Sequence, residues 1–523
     1  MPSSERPNVM VILCDDLGFS DIGCFGGEIP TPAVDGLAER GVRMTQFYNT
    51  ARCSPSRASL LTGLHPHQTG IGILTADDRP AGYAGTLSED CVTIAEVLRD
   101  AGYGTYMAGK WHVSGHTGRI DETWPLGRGF ERFFGTCNGG GSYYWPATLA
   151  EDDAFLSYDD RPDDFYFTDA ITARTQRYVR EHVRDRPHDP FFCYVAYTAP
   201  HWPLHAPEEL VAAQAGRYDE GWDVVRERRR ERQREGGWFG TSFEAAPRDP
   251  EVPPWDEAPD REWQARCMEV YAAQVARMDE GIGHILETLR ETGTEENTLV
   301  LFLSDNGGSA EVIPVGRNRL PFPRRTPDGR PIEIGNTPQT RPGAEETFVS
   351  YGKAWANVSN TPFREYKHWV HEGGIATPLV ARWPARLPPG RLVHDAHQLP
   401  DIMATVLEVT GAHYPLTRAG TPVQAPEGAS MLGGWTGQAA AAGRYLFWEH
   451  EGNAACRRDD WKLVKRYPGA WELYDLRTDR AELRDLALER REIVRELADA
   501  YQAWSVRVGV IPPEVWRPLY ERE

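Results

Sequence analysis

The chain has 523 residues, and 40% hydrophobic with 26% charged residues is typical of a folded globular protein rather than a disordered one. This length exceeds what one compact core usually holds, so we expect two domains. The formal net charge of −20 argues against nucleic acid and against an anionic membrane surface as partners. An anionic substrate would therefore need cationic side chains at its own binding site.

The amino-terminal segment contains a short apolar run, Val9 to Leu13, which has the length of a buried strand and is too short to span a membrane. No basic region with a long apolar stretch accompanies it, so we expect a cytoplasmic protein unless the natural chain carries a further leader. The eight cysteines lack paired spacing, and most, such as Cys14 and Cys193, are expected to be small core residues. Cys53 differs because it lies in a polar, turn-rich segment.

Short apolar runs alternate with helical patterns along most of the chain. The runs end in polar residues and are typical of buried strands covered on both faces: NVMVILCDD, GYGTYMAGKWH, PFFCYVAYTAPH and TLVLFLSDNGG. Helical periodicity predicts helices over 93–102, 169–183 and 267–293. This alternation predicts an α/β domain with a large central sheet, in which ligands gather beyond the carboxyl ends of the strands.

Later segments have a different character. Residues 216–260 are highly charged, and their stretch RERRRERQREGG predicts a solvated helix at the periphery. Residues 309–360 are rich in Pro, Gly and Arg and predict a long loop that folds over the site. After about residue 415, GRYLFWEHE, CRRDDWKLVKR and WELYDL predict short antiparallel strands before a terminal helix. We therefore predict a large domain over 1–414 and a smaller α+β subdomain over 415–523.

Residues 53–63 read Cys-Ser-Pro-Ser-Arg-Ala-Ser-Leu-Leu-Thr-Gly. As local structure, this is a turn into a helix, with Pro55 in the first turn and Ser54 as the cap. The string also resembles the signature of the type I sulfatases, in the branch that contains bacterial arylsulfatases. The resemblance extends over nearly the whole chain. In that family, C-x-P-x-R directs a maturation enzyme to oxidise the cysteine, here Cys53, to formylglycine (3-oxoalanine).

The resemblance implies a fold and a reaction. The fold is alkaline phosphatase-like, with a large mixed central sheet flanked by helices and a smaller carboxyl-terminal α+β subdomain. The reaction is hydrolysis of a sulfate monoester, aryl or carbohydrate, to alcohol and sulfate. One hydroxyl of the formylglycine hydrate attacks sulfur and forms a covalent sulfo-enzyme intermediate. The second hydroxyl is then deprotonated, and sulfate leaves as the aldehyde is restored.

Acidic and amide residues follow two of the predicted strands. Asp15 and Asp16 end the first apolar run, and Asp305 and Asn306 end the run LVLFLS. Singly, such residues are usually caps or turns, but together they offer an all-oxygen shell that suits Ca²⁺, or Mg²⁺ if the geometry is tighter. Apart from Cys14, which is expected to be a core residue, no Cys or His neighbours them, which speaks against a zinc site of the alkaline phosphatase kind. In the family, the matching residues bind calcium together with the formylglycine, here at Cys53.

A second sulfatase signature covers residues 102–112 and contains Lys110 and His112. Without the resemblance, these would be a solvated lysine and a loop histidine; on an extended stretch, both would point to the same side. The resemblance implies that Lys110 binds sulfate oxygens and that His112 takes the proton that triggers sulfate release. Arg57, one helical turn after Cys53, is expected to reach the hydrate or the calcium ligands.

His201 and Lys367 complete the predicted catalytic set. A lone histidine between prolines more often packs than catalyses, but the resemblance makes His201 the general acid at the leaving-group oxygen. Lys367 is expected to share that oxygen or a sulfate oxygen. Lys110, His201 and Lys367 are thus the predicted substrate-binding residues, and His368 and His371 are further candidates near Lys367.

The substrate's alcohol is less defined by the sequence. The Gly-rich, aromatic segment 137–149 is either an ordinary surface loop or a pocket wall whose rings stack on an aryl or sugar ring, and it lacks the lysine of a phosphate loop. Polar residues that could also contact the alcohol are His205, His371, Glu449 and His450. The expected partners are a small-molecule or saccharide sulfate ester and a formylglycine-generating maturation enzyme.

Three alternatives remain open at this point. A phosphonate monoester or phosphodiester hydrolase shares the superfamily fold and a formylglycine, although the pairing of His201 with Lys367 and the tract SNTPFREYKHWVHEGG favour sulfate. A non-catalytic anion-binding homologue would keep Cys53 unmodified. A thiol hydrolase would use unmodified Cys53 with His112, but it would have no use for the aspartate set.

Overall fold

A computed structural model describes residues 6–76, 83–240, 243–315, 323–438 and 442–520. In this part of the chain, the centre is an eleven-stranded mixed sheet. Its strands are β1 (Asn8–Cys14), β2 (Val42–Tyr48), β3 (Gly104–Lys110), β4 (Arg132–Thr136), β5 (Ala150–Glu151), β6 (Ala154–Phe155), β7 (Phe191–Ala196), β8 (Thr298–Ser304), β11 (Ala376–Arg382), β12 (Arg391–Val393) and β13 (His397–Gln398). Two strands outside this sheet, β9 (Glu333–Ile334) and β10 (Thr347–Phe348), pair with each other, as do β14 (Thr417–Arg418) and β15 (Thr421–Pro422).

The four predicted apolar runs form the middle of the sheet, where β8, β1, β7 and β3 are neighbours and run parallel. All of their residues except Asn8 are buried, as expected for strands with helices on both faces. Beyond β8, the antiparallel strand β11 makes the sheet mixed. The predicted α/β fold with a large mixed sheet is confirmed.

Helices cover both faces of the sheet. They are α1 (Pro32–Glu39), α2 (Cys53–Thr62), α3 (Ile94–Asp100), α4 (Phe167–Asp185), α5 (Glu208–Ala212), α6 (Gly221–Glu235), α7 (Arg261–Glu291), α8 (Gly352–Ser359), α9 (Glu372–Ile375), α10 (Pro400–Thr410), α11 (Leu432–Thr436), α12 (Arg491–Val508) and α13 (Pro513–Tyr520). The three helices predicted from periodicity are α3, α4 and α7, with shifted ends. None of the helices in the described residues has the length and apolarity needed to cross a membrane.

The charged stretch forms α6, and most of its residues are exposed or partly exposed as predicted, but Arg226, Arg229 and Gln233 are buried. Arg229 is fully buried and pairs with Asp21 and Glu28 at 2.7 Å each. A buried guanidinium is tolerated when carboxylates match its charge. Composition alone cannot separate such a residue from a solvated one, because its partners lie about 200 positions away in the chain.

The predicted loop 309–360 contains more regular structure than expected, namely the β9–β10 pair and α8. Residues 316–322 of that prediction lie outside the described residues. The part near Glu311 does reach the candidate site, since Glu311 Oε2 lies 3.5 Å from Lys367 Nζ.

The carboxyl-terminal region contains a four-stranded antiparallel sheet, as predicted. Its strands are β16 (Tyr445–His450), β17 (Asn453–Arg458), β18 (Trp461–Lys465) and β19 (Glu472–Asp475), and the predicted terminal helix is α12. Lys462 on β18 is buried and pairs with Glu372 at 2.9 Å and with Glu482 at 2.8 Å. The domain boundary between residues 414 and 415 remains a prediction.

Candidate active site

Polar residues gather at one edge of the central sheet. Asp15 and Asp16 directly follow β1, Lys110 ends β3, and Asp305 and Asn306 directly follow β8. His201 lies in the turn after β7. Because these four strands are adjacent and parallel, their carboxyl ends meet, and the separate sequence motifs come together there.

The acidic residues form a compact buried cluster. The Asp16 amide donates to Asp305 Oδ1 at 3.2 Å, and Asn306 Nδ2 donates to Asp16 Oδ1 at 2.6 Å. Asp15, Asp305 and Asn306 are fully buried, yet Asp15 Oδ1 and Asn306 Oδ1 have no hydrogen-bond partner. Buried acceptor oxygens without donors are costly, and a hard divalent cation would satisfy both. The residues present therefore fit such an ion.

His201 also borders this cluster. Ligand atoms of Asp15, Asp16 and His201 all lie within 4.8 Å of one another, and His201 Nε2 is 3.5 Å from Asp16 Oδ2. Burial and the charge of Asp15 raise the pKa of Asp305, which shows how closely the carboxylates are crowded. A cation among them would relieve that repulsion.

Two buried cations hold the carboxylates in place. Arg57 donates through Nη2 and Nε to Asp305 Oδ2 at 2.8 and 3.1 Å, and through Nη1 to the Lys110 carbonyl at 2.9 Å. Lys110 Nζ donates to Asp15 Oδ2 at 2.5 Å and to the carbonyl of Gly139. Although burial acts to raise the pKa of Asp15, the Lys110 ammonium holds it well below its usual range. Arg57 thus contacts a candidate calcium ligand, as the helical spacing predicted.

Lys367 and His201 form a coupled donor pair. Lys367 Nζ lies 2.9 Å from Asp16 Oδ2 and 3.3 Å from His201 Nε2. His201 Nδ1 lies 2.5 Å from the Trp202 carbonyl, which can only accept, so Nδ1 carries the hydrogen and Nε2 of the neutral ring faces Lys367. Burial lowers the pKa of His201, whereas the Asp16 carboxylate overcomes burial and raises the pKa of Lys367. The proton of this pair therefore resides on Lys367.

Cys53 begins α2 and is 3% exposed. Pro55 lies in the first turn as predicted, but the prediction that Ser54 caps the helix was wrong: the N-cap position is Arg52, without a side-chain hydrogen bond. Burial raises the pKa of the Cys53 thiol, although Lys110 and Lys367 oppose that shift. A thiol with a raised pKa is a poor nucleophile at neutral pH.

The glycine-rich segment packs directly against the two candidate histidines. A Cβ on Gly139 would lie 2.6 Å from His112 Nε2, and a Cβ on Gly140 would lie 3.0 Å from His201 Cε1. Glycine is needed at these positions because the backbone approaches the rings so closely. His112 is buried, and burial with the Lys110 charge lowers its pKa well below the usual range. It is therefore a neutral ring at pH 7.

Of the two alternatives for this segment, a pocket wall with stacking rings does not suit two of its residues. Tyr143 and Trp145 are only 1% and 8% exposed, so they have little face to offer. The Tyr143 hydroxyl instead lies 2.8 Å from the carbonyls of Thr198 and His201. Tyr143 thereby supports the backbone that carries His201.

The further candidates occupy different surroundings. His205 is buried, with Nε2 2.6 Å from the Thr347 carbonyl, and Glu449 pairs with His67 at 2.7 Å. His371 Nε2 lies 3.6 Å from Glu472 Oε2. The rings of His368 and His450 lie 5.4 Å apart. The charge of Arg52, the residue before Cys53, helps to lower the pKa of both histidines.

Two charged residues at the site were missed in the sequence. Arg52 Nη1 pairs with Glu311 Oε1 at 2.9 Å, and Trp202 Nε1 donates to Glu311 Oε2 at 2.8 Å. With its contact to Lys367, Glu311 links three parts of the site. Arg52 lies beside Cys53 and Glu311 follows soon after Asn306, which was the only sign in the sequence that they belong to the site. A charged residue next to a motif does not reveal with which residue it forms an ion pair.

Comparison with known proteins places this arrangement in a family. The family model described as Sulfatase matches residues 7–412. This chain belongs to the sulfatase family. A second model, described as N-sulphoglucosamine sulphohydrolase, C-terminal, matches residues 364–504. The family assignment identifies the chain as a sulfuric ester hydrolase.

Individual relatives cover nearly the whole sulfatase. It is 33% identical to an uncharacterized sulfatase of Schizosaccharomyces pombe over 97% of this chain and 95% of that protein. It is 35% identical to an arylsulfatase of Klebsiella aerogenes over 82% of this chain and 91% of that protein. The crystal structure of Ps i-CgsB has the same fold, with a TM-score of 0.69 and 23% identity over 96% of this chain and 93% of that one.

Proposed function

We propose that this sulfatase cleaves the sulfate monoester of an aryl or carbohydrate alcohol by means of a formylglycine made from Cys53. The observation that carries the proposal is the position of Cys53: it is buried at the start of α2, where the charges of Lys110, Lys367, Asp15 and Asp305 all act on it. Cations for an anionic group and carboxylates for a metal thus meet at one side chain.

The raised pKa of Cys53 argues against an unmodified thiolate. Oxidation removes this difficulty, because the hydrated aldehyde supplies one hydroxyl to attack sulfur and a second whose deprotonation expels sulfate. His112, neutral and close to the Gly139 backbone, is the base we assign to that deprotonation.

Asp15, Asp16, Asp305 and Asn306 would hold Ca²⁺, with position 53 as a further ligand. The oxygen-only character of these four residues and the two unpartnered oxygens favour this ion, and Mg²⁺ would require a tighter geometry. When bound, the cation neutralises sulfate oxygens and lowers the pKa of a coordinated hydroxyl. Lys110 and Lys367 add positive charge on either side, where charge develops in the transition state.

The leaving alcohol needs a proton, and Lys367 with His201 can provide it. Lys367 carries the proton and donates toward His201 Nε2, so a proton passed from Lys367 to Nε2 can reach the alcohol oxygen as charge develops there. We keep His201 as the general acid: Lys367 gives its proton to His201 Nε2, Nε2 passes it to the alcohol oxygen, and Lys367 stays neutral until water reprotonates it.

The relatives support both classes of alcohol. The similar Klebsiella aerogenes protein is an arylsulfatase, whereas Ps i-CgsB has been crystallised in complex with k-i-k-neocarrahexaose, a carbohydrate.

The peptide that contains residue 53 tests the proposal most directly. After expression with a competent maturation enzyme, its mass should be about 18 Da lower than the sequence mass, because SH₂ is replaced by O. The same preparation should release sulfate from 4-nitrophenyl sulfate faster than it releases phosphonate from the matching phenylphosphonate ester. Full sulfatase activity with an unmodified cysteine would contradict the proposal.

Replacing His201 with alanine should affect substrates according to their leaving group. We expect kcat for alkyl or sugar sulfates to fall by about 10²- to 10⁴-fold, because these alcohols need a proton in the transition state. For 4-nitrophenyl sulfate, the loss should be at least tenfold smaller, since a phenolate leaves without full protonation. Equal losses on both kinds of ester would show that His201 does not act on the leaving group. Replacing His188, an exposed histidine, provides a control.

A further inference from the structure

Four partly exposed polar residues border the buried catalytic groups. Their side chains are exposed by 20% (Arg52), 33% (Glu311), 31% (His368) and 26% (Glu451), whereas those of Lys110 and Lys367 are exposed by 0% and 2%. We call these four residues the rim. They form a boundary between the enclosed sulfate-binding groups and solvent.

The rim is tied to the nucleophile and to the proposed proton donor. The His368 amide donates to the carbonyl of Ala51 at 2.7 Å, and Arg52 directly precedes Cys53. On the other side, Glu311 Oε2 lies 3.5 Å from Lys367 Nζ. Since Lys367 and His201 together supply the proton of the leaving-group oxygen, the alcohol attached to that oxygen would lie against the rim.

Hydrogen bonds hold the rim side chains in defined orientations. The side-chain oxygen Oδ1 of Asn453 accepts from the Tyr467 amide, so its Nδ2 faces His368 Nε2 at 3.4 Å. His368 Nε2 is therefore the acceptor, so Nδ1 carries the hydrogen and lies 3.3 Å from Glu451 Oε2. Burial lowers the pKa of His368 to about 4, so the ring is neutral at pH 7.

Positive charge on the rim is balanced by nearby carboxylates. Although burial opposes the shift, Glu311 and Glu451 raise the pKa of Arg52, which means that two anions face this one guanidinium. Lys367 is likewise matched by Asp16 and Glu311. Among the described residues, the rim thus offers no surplus of positive charge that would favour a second anionic group on the alcohol.

Two further guanidiniums, those of Arg466 and Arg517, also lower the pKa of His368. Arg466 is paired with Glu365 at 3.1 Å, and Arg517, on α13, has the weakest effect and stacks over Tyr467. These residues do not change the balance at Arg52 itself.

The chemistry of the rim suits hydroxyl groups. A hydroxyl can donate to a carboxylate oxygen and accept from a guanidinium. An alcohol with several hydroxyls can therefore form hydrogen bonds with both the carboxylates and the guanidinium of the rim. An aryl ring in the same place would desolvate the charges without replacing their hydrogen bonds. Tyr143 and Trp145 are buried, and the partly exposed Trp202 is already held by its hydrogen bond to Glu311.

We propose that the rim is the leaving-group subsite and that it selects an uncharged, hydroxyl-bearing alcohol, such as a neutral monosaccharide or a polyol. This inference rests on the proposed sulfatase function. It distinguishes such an alcohol from an aryl alcohol and from a sugar that carries a carboxylate or a second sulfate.

The variant Glu451→Gln tests the subsite. It keeps the shape of the side chain but weakens its acceptor, so kcat/KM for neutral monosaccharide sulfates should fall by about 10- to 100-fold. For 4-nitrophenyl sulfate, which lacks hydroxyls, the change should stay below about threefold. The control is Glu496→Gln, because Glu496 is also a partly exposed glutamate paired with an arginine, Arg458, and should leave both substrates unaffected.

A binding measurement separates the subsite from the chemistry. Unsulfated neutral monosaccharides should inhibit hydrolysis of 4-nitrophenyl sulfate competitively, and Glu451→Gln should raise their inhibition constant by a similar factor. Equal losses on sugar and aryl sulfates, or a preference for uronate or disulfated sugars, would overturn the inference. If matured enzyme releases sulfate from no substrate, the proposed function fails; calorimetric binding of the same monosaccharides to both variants then decides the subsite alone.

Discussion

Replacing Cys53 with serine should stop turnover and leave the protein sulfated. Serine offers one hydroxyl on its carbon, so after transfer there is no second hydroxyl whose deprotonation could expel sulfate. We expect kcat to fall by about 10⁴-fold or more, as when other covalent nucleophiles are removed. The intact mass should rise by up to about 80 Da, the mass of one SO₃ group, after incubation with substrate.

Two other variants make this result specific. Cys53→Ala should be equally inactive but gain no mass, because it has no hydroxyl to sulfate. Cys24→Ser replaces a cysteine that lies outside the site beside Asp35, and it should retain activity. Steady turnover by Cys53→Ser near the wild-type rate would rule out the two-hydroxyl mechanism.

Removing divalent metal should abolish activity and also destabilise the fold. Asp15, Asp16 and Asp305 would then face one another without the cation, and two buried oxygens would lose their only proposed partner. We expect the hydrolysis rate to fall by at least about 10³-fold, in line with the loss of an electrostatic group at the reacting centre. Added Ca²⁺ at 100 times its Kd should restore about 2.7 kcal/mol of stability. Thermal unfolding in EGTA, with Ca²⁺ or Mg²⁺ added back, measures the stability that each ion restores.

The variant Asn306→Ala tests whether the proposed ligands bind the Ca²⁺ ion. It removes one oxygen ligand without changing charge, and should raise the Ca²⁺ concentration for half-maximal stabilisation by about tenfold or more. Asn8 lies at the opposite end of β1, where it bonds to Thr298 and the Phe191 amide. Asn8→Ala should therefore leave the Ca²⁺ dependence unchanged even if it lowers stability. A metal-free protein with full activity and unaltered unfolding temperature would refute the calcium site.

The short apolar runs predicted the central strands correctly. The polar residues that follow these runs predicted the edge of the sheet where the site lies. Sequence reasoning failed where the environment of a residue depends on distant partners. Arg229 was expected in solvent and is buried against Asp21 and Glu28. Tyr143 lies in a segment that the sequence left open between a surface loop and a pocket wall, and it supports the His201 backbone instead. In both cases, the residue type was compatible with either environment.

By itself, the sequence of this chain determined the family, the α/β class and the residue at the centre of the chemistry, Cys53, because short motifs and periodic patterns are local properties. The order of β8, β1, β7 and β3 was decided only by the tertiary structure, and this order brings Asp15, Lys110 and Asp305 to one point. The location of the proton on Lys367 and the balance of charges at the rim were likewise decided only by the tertiary structure. Both depend on burial and on contacts between residues far apart in the chain, which no local pattern encodes.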